Sequence, residues 1–306
     1  MNNHTTSARE LAPDDSAPPP IDYAAFVRMS EGYAELVKKL LGCADLERKH
    51  VRTNPLAENA RRFLAASRDK MRVVPDFANQ ERAEILRRAP AVARALLRFA
   101  TDVHLLAPVI DKMLERPTIQ KFILSRLHKL KMVEDVVSEL SYFGWLQSRG
   151  LIVEFKQLPG EPEGVVKFDD RDLWVEIKTI HRLNINVSKR ISEANRQIKH
   201  VGNGSRGICV IRYPTPLDPN RRELALAKVI EGIQTATQSR HYRSVAAIVL
   251  QWDEVLVEEH QGDIWLFAAR GSRLYAHTHA HCSLRGNLQV LCPAAYTVAR
   301  VVLRPS

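Results

Sequence analysis

The sequence of 306 residues has few cysteines and no long apolar run. Its four cysteines lie far apart and show no Cys-x-x-Cys spacing, which does not suggest a disulfide framework. We expect reduced thiols with a mainly structural role at Cys43, Cys209, Cys282 and Cys292.

Signals for membranes and for several enzyme classes are also missing. Neither end carries an apolar run long enough to cross a bilayer, and residues 1–20 lack the apolar centre of a signal sequence. We therefore expect a cytoplasmic protein without a membrane segment. No phosphate-cradling glycine loop and no Gly-x-Ser-x-Gly turn occurs, so kinase, nucleotide triphosphatase and serine-hydrolase functions find no support.

Positive charge is in excess, with a net charge of +10 at pH 7 and a pI near 9.6. A basic protein suits a phosphate-bearing partner, because neutralising a polyanion releases its counterions and adds affinity that is independent of sequence. The alternative is that arginine simply serves as the solubilising surface residue. Charge alone leaves both open.

The chain divides into three regions by composition and periodicity. Residues 1–20 are polar and proline-rich, which predicts a disordered tail. In residues 21–131, apolar residues recur at intervals of three and four and prolines separate the runs, which predicts an all-helical region. Its many arginines form either a face that grips nucleic acid or an ordinary solvated helix surface.

Residues 132–306 alternate between helical and extended patterns. The periodicity predicts helices over 132–148, 189–200 and 219–239, and strands over 151–155, 164–168, 173–180, 207–213, 245–251, 264–269, 274–279 and 296–303. This order of helix, three-strand meander, helix and strand predicts an α/β domain that follows the helical region.

Three charged residues are expected on one face of the meander. A two-residue turn at Asp170-Arg171 would place Glu163 opposite Lys178 and Val165 opposite Glu176. Alternation then puts Glu163, Glu176 and Lys178 together, while the opposite face is apolar. Two carboxylates on adjacent strands can share a hard divalent cation such as Mg²⁺. Without a metal they would repel each other.

This element order, with Glu163 entering the second strand and Glu176-Ile177-Lys178 in the third, resembles the PD-(D/E)xK (restriction-endonuclease-like) nuclease superfamily. The resemblance covers about residues 132–251. It implies a nuclease domain with Mg²⁺ or Mn²⁺ as cofactor, held by Glu163 and Glu176. It also implies a catalytic Lys178, a supporting Gln197 on the following helix and an additional metal carboxylate, Glu139, on the preceding one.

The sequence departs from the family at several positions. Relatives usually carry Asp where this chain has Pro162-Glu163, and the tyrosine that exonuclease branches carry downstream of Gln197 is absent at Val201. Other acids fit the missing Asp less well, because they crowd the turn or lie far upstream among helices. They are Asp169, Asp170, Asp172 and the literal Pro75-Asp76-Phe77.

We therefore expect a metal-dependent nuclease that hydrolyses phosphodiester bonds, in DNA ahead of RNA, in bacterial defence or repair. The helical region would bind nucleic acid, a partner protein or a second copy in a homodimer. One alternative is an inactive nuclease-like scaffold that only binds nucleic acid or a partner. Another is that Glu176 and Lys178 form an ordinary exposed pair on an edge strand.

A second cluster of metal-ligand residues is weaker. His277, His279 and His281 alternate along an expected strand beside Cys282. Ligands two residues apart on a strand are about 6.6 Å apart, which suits one cation poorly. A polar strand edge is the expected role.

Overall fold

In the computed structural model, the described residues are 23–68, 105–106, 109–112, 115–129, 132–156, 160–168, 171–202, 204–260, 263–279, 288–292 and 296–303. The expected tail at residues 1–20 lies outside these ranges. Among the described residues, Cys43, Cys209 and Cys292 are free thiols.

The first part of the chain forms helices α1 (Tyr23–Leu41), α2 (Pro55–Arg68) and α3 (Pro117–Leu127). Proline opens both α2 and α3, where the missing amide proton costs nothing. Helices α1 and α2 pack through an edge-to-face contact of Tyr33 and Phe63, with ring centroids 5.7 Å apart. Every regular element described within residues 21–131 is helical, as predicted.

The second part alternates helices and strands. The elements are α4 (Val133–Ser148), β1 (Val153–Phe155), β2 (Gly164–Phe168), β3 (Arg171–Thr179), α5 (Val187–Val201), β4 (Gly207–Leu217), α6 (Arg222–Gln238), β5 (Val245–His260), β6 (Asp263–Ala276) and β7 (Tyr296–Leu303). Within the described residues they form one seven-stranded sheet in the order β1 to β7. The mixed α/β class is confirmed.

The sheet combines two kinds of pairing. Strands β1, β2 and β3 form an antiparallel meander, and β4 and β5 then run parallel to β3. Strands β6 and β7 continue antiparallel from β5. The expected order of helix, meander, helix and parallel strand is therefore present.

One prediction about the strands is wrong. Residues 264–269 and 274–279 were expected as two strands, but β6 is one strand that pairs along the whole of β5. Gly271, between the two expected strands, lies opposite Trp252, and a Cβ added there would come within 2.4 Å of the indole ring. The glycine therefore permits close packing inside the strand.

Apolar residues cover both faces of the sheet. One cluster joins helices α1 to α4 to the face that carries Val166, Val175 and Ile177. The other joins α5 and α6 to the face that carries Cys209 and Ile211. Because the first cluster includes both the helical region and the sheet, a boundary at residue 131 stays a prediction.

No helix among the described residues is both long enough and apolar enough to span a membrane.

Candidate active site

The β2–β3 hairpin sets the positions of the predicted acids. Arg171 belongs to β3 and pairs with Phe168, so the predicted turn at Asp170-Arg171 is wrong and the register differs by two residues. An ion pair between the directly opposed Lys167 and Asp172 favours the observed register. Asp169 and Asp170 lie outside the described residues.

A shift of two residues leaves each side chain on its predicted face. Gly164 pairs with Val175, and continuing this register by one residue places Glu163 opposite Glu176 rather than Lys178. The Glu163 carboxylate also accepts a hydrogen bond from the Ile177 amide, at 2.9 Å. The two candidate carboxylates therefore lie close to each other.

The carboxyl groups of Glu163 and Glu176 interact strongly. The pKa of Glu163 lies well above its usual range, first because its carboxyl group is withdrawn from water and then because of the neighbouring Glu176 carboxylate. Lys178 and the Ile177 amide oppose this rise only in part. The raised pKa of Glu163 means that the site favours either a proton on Glu163 or a cation beside the two carboxyl groups.

Glu176 itself is fully buried. Its Oε1 atom forms an ion pair with Lys178 Nζ. Its Oε2 atom is also buried and has no hydrogen-bond donor among the described residues. An unsatisfied buried carboxylate oxygen is costly, so this atom is open to a cation.

Lys178 is held at the edge of this site. Burial lowers the pKa of Lys178, but the carboxylates of Glu176 and Glu163 outweigh burial and raise it. The ammonium group therefore stays charged, and Nζ also donates to Gln197 Oε1 at 2.9 Å.

Gln197 connects three parts of the structure. Helix α5 begins after Asn186, whose side chain caps the Lys189 amide at 3.1 Å. The buried face of α5, which carries Ile191, Ala194 and Ile198, packs against the sheet. This packing brings the adjacent Gln197 to Lys178. Gln197 Nε2 also donates to the Glu161 carbonyl at 3.3 Å, which ties α5 to the segment before β2.

Glu139 lies near the pair but is already engaged. Its buried carboxylate on α4 forms a two-pronged ion pair with Arg126 on α3, with Arg126 Nη1 2.6 Å from Oε2. Burial raises the pKa of Glu139 to about 8 although Arg126 opposes it, and the nearby Glu163 charge adds to the rise. The acids Glu139, Glu163 and Glu176 therefore lie near two cationic side chains, Arg126 and Lys178.

Sequence reasoning missed Arg126. Its only signal was a charged residue beside the apolar stripe Ile119, Ile123 and Leu127 on α3. Nothing local linked it to Glu139, because the contact depends on how α3 and α4 pack.

An open pocket of about 750 Å³ adjoins the site. Lys178 and Gln197 form its inner end, and the other lining residues are Gly160, Glu193, Arg196, Lys199 and His200. Most of these residues are polar or charged.

The other candidate residues do not join this site. His277 is buried and its two ring nitrogens contact the Ser239 carbonyl at 2.9 Å and the His279 amide at 3.1 Å. His281, Cys282 and Pro75-Asp76-Phe77 lie outside the described residues. In the part of the chain that is described, no group of three or more His, Cys, Asp or Glu side chains is arranged to hold a metal ion.

Comparisons with known proteins found no protein-family model, no curated protein and no solved structure that matches the chain. A proposal about the function therefore rests on the geometry of the site.

Proposed function

We propose that this protein is a metal-dependent nuclease that hydrolyses phosphodiester bonds, with DNA as the expected substrate ahead of RNA. One observation carries the proposal: the carboxyl group of Glu163, just before β2, lies close to that of Glu176 on β3, and a buried oxygen of Glu176 lacks a donor. Lys178 and Gln197 line the pocket beside them.

The residues present fit a hard divalent cation. Glu163 and Glu176 would hold Mg²⁺ or Mn²⁺, because carboxylate oxygens are the ligands these ions prefer and the donor-less oxygen of Glu176 needs a positive partner. When bound, such an ion polarises the phosphodiester and lowers the pKa of a bound water. Glu139 would support the site from its ion pair with Arg126.

The protein's own groups divide the remaining work. Lys178, kept protonated by its two carboxylate neighbours, orients a phosphate oxygen or the attacking water through its ammonium hydrogens. Gln197 fixes the position of the Lys178 ammonium through a hydrogen bond of 2.9 Å. Preorganised charge of this kind is worth most where water is largely excluded, as around the buried Glu176.

The order of elements from α4 to β4 supports the restriction-endonuclease-like fold as part of this proposal. A cytoplasmic role in bacterial defence or repair follows by analogy with that superfamily, since a fold hosts many functions. The helical region is proposed to contact nucleic acid, a partner protein or a second copy.

A binding protein without catalysis is the second candidate. Arg126 already neutralises Glu139, and Glu163 replaces the Asp usual in the family. In that case Glu163 and Glu176 would share a proton instead of a metal ion.

Cleavage assays separate the two functions. Supercoiled plasmid, linear duplex, single-stranded DNA and RNA are incubated with Mg²⁺ or Mn²⁺ and either wild-type protein or Lys178→Ala. We expect cleavage by wild type that Lys178→Ala and chelator both abolish. Lys228→Ala removes an exposed lysine from α6 and serves as the matched control with wild-type activity. Salt-sensitive binding without cleavage by wild type would support the binding protein instead.

A further inference from the structure

Helix α5 carries positive charge that nothing in the described structure neutralises. The side chains of Arg196, Lys199 and His200 are exposed, and none of these side chains forms an ion pair or a hydrogen bond with another described residue. They follow a spacing of three and four, which places them on one face of the helix. Arg190 differs, since it pairs with Glu193 at 3.2 Å.

This charged face is continuous with the proposed site. The same pocket of about 750 Å³ is lined by Arg196, Lys199 and His200 at the surface and by Lys178 and Gln197 within. Glu193 is the carboxylate of the lining, and its charge is balanced by Arg190. A polyanion that reaches Lys178 would therefore pass along unbalanced positive charge.

The residue types that line the pocket indicate which class of ligand it suits. Pockets for small organic molecules are lined mainly by apolar and aromatic residues, whereas every lining residue of this pocket except Gly160 has a polar or charged side chain. Recognition of single-stranded bases usually uses the large aromatic rings of Phe, Tyr and Trp for stacking, and among the described residues none of these lines the pocket. Exposed Arg and Lys suit phosphate oxygens, which position a nucleic acid without reading its sequence.

We infer that Arg196 and Lys199, with His200 beside them, bind backbone phosphates of the nucleic-acid strand next to the bond that is cleaved. The contact is independent of base sequence. This inference rests on the proposed nuclease function and assigns α5 as the element that guides the strand to Lys178.

The test measures binding without catalysis. Full-length wild-type protein, Arg196→Gln and Lys199→Gln are titrated, in chelator, onto short fluorescein-labelled DNA duplexes of two unrelated sequences and onto matching single strands, over a series of salt concentrations. Lys228→Gln removes the same charge from α6, outside the pocket, and is the control.

Each pocket variant should weaken binding to both sequences alike. The slope of log affinity against log salt concentration should become shallower by about 0.9 for duplex or about 0.7 for single strands per lost phosphate contact. The control should keep the wild-type slope. Unchanged slopes in both pocket variants, or an equal change in Lys228→Gln, would overturn the inference.

The inference about α5 and the proposed nuclease function can fail independently of each other. Cleavage with unchanged slopes would remove the role of α5 and leave the nuclease proposal standing. Shallower slopes without any cleavage would remove the nuclease and leave α5 as a phosphate-binding element.

Discussion

The half-buried Glu163 lies close to the fully buried Glu176, and Lys178 alone cannot balance both carboxylates. The sequence predicted their shared face correctly because alternation along a strand fixes sidedness even when the turn is misplaced by two residues. The family resemblance implied a supporting Gln197, and in the structure its side chain accepts a hydrogen bond from Lys178 Nζ, while its role in catalysis stays a prediction. Arg126 could not be predicted, because its partner Glu139 lies on a different helix.

The raised pKa of Glu163 predicts a pH dependence of stability. Because the pKa in the folded protein lies above the ordinary 4.5, folding favours the protonated group. This stabilisation is fully present below pH 4.5 and is lost as the pH rises through the folded pKa. In chelator, wild type should therefore lose stability relative to Glu163→Gln as the pH rises.

Urea unfolding at a series of pH values measures this difference. Glu231→Gln, at an exposed position on α6, should keep the wild-type pH dependence. Parallel curves for wild type and Glu163→Gln would contradict the prediction.

Arg126→Met should destabilise the protein strongly. It leaves the buried Glu139 carboxylate without its partner, a loss that typically costs about 3–5 kcal/mol of the free energy of unfolding. Arg62→Met breaks an exposed ion pair with Glu58 and should cost at most about 1 kcal/mol. Urea unfolding of both variants checks this, and adding Glu139→Leu to Arg126→Met should restore much of the loss. Equal effects of the two arginine variants would refute it.

Among the elements, β2 and β7 have the bounds that were predicted, whereas β5 and β6 are much longer. The additional residues of β5 and β6 include buried charged side chains that form ion pairs: Asp253 contacts Arg270 of β6 at 3.0 Å, and Glu254 contacts Arg222 of α6 at 2.9 Å. Sequence patterns cannot reveal such buried pairing, because the partners come from different elements.

Alanine at Gly271 in β6 and alanine at Gly232 in α6 should change the stability of the protein in opposite directions. A Cβ at Gly271 would lie 2.4 Å from the Trp252 ring, so Gly271→Ala should lower the free energy of unfolding by about 1–3 kcal/mol. A Cβ at Gly232, within α6, would make an ordinary contact of 3.5 Å, so Gly232→Ala should raise stability by roughly 0.5–1 kcal/mol. Thermal or urea unfolding measures both. A neutral Gly271→Ala would contradict the packing described for β6.

At the scale of the whole molecule, the helical region and the sheet share one apolar cluster. Helix α3 contributes to that cluster and also brings Arg126 to Glu139 beside the candidate site. On the other face, α5 extends the site into a positively charged pocket, which suits a protein with a net charge of +10. The periodicity of the sequence predicted a helical region and an α/β region. Only the packed structure shows that residues of both regions meet at one site.

The central claim is that Glu163 and Glu176 together form one site for a divalent cation. Isothermal titration calorimetry tests this claim directly. Mn²⁺ is titrated into wild-type protein, into Glu163→Gln and Glu176→Gln, and into the control Glu231→Gln. We predict that wild type and Glu231→Gln bind Mn²⁺ with the same affinity, while each of the other variants binds at least about tenfold more weakly. Equal Mn²⁺ affinity in all four proteins, or no binding by wild type, would contradict the claim.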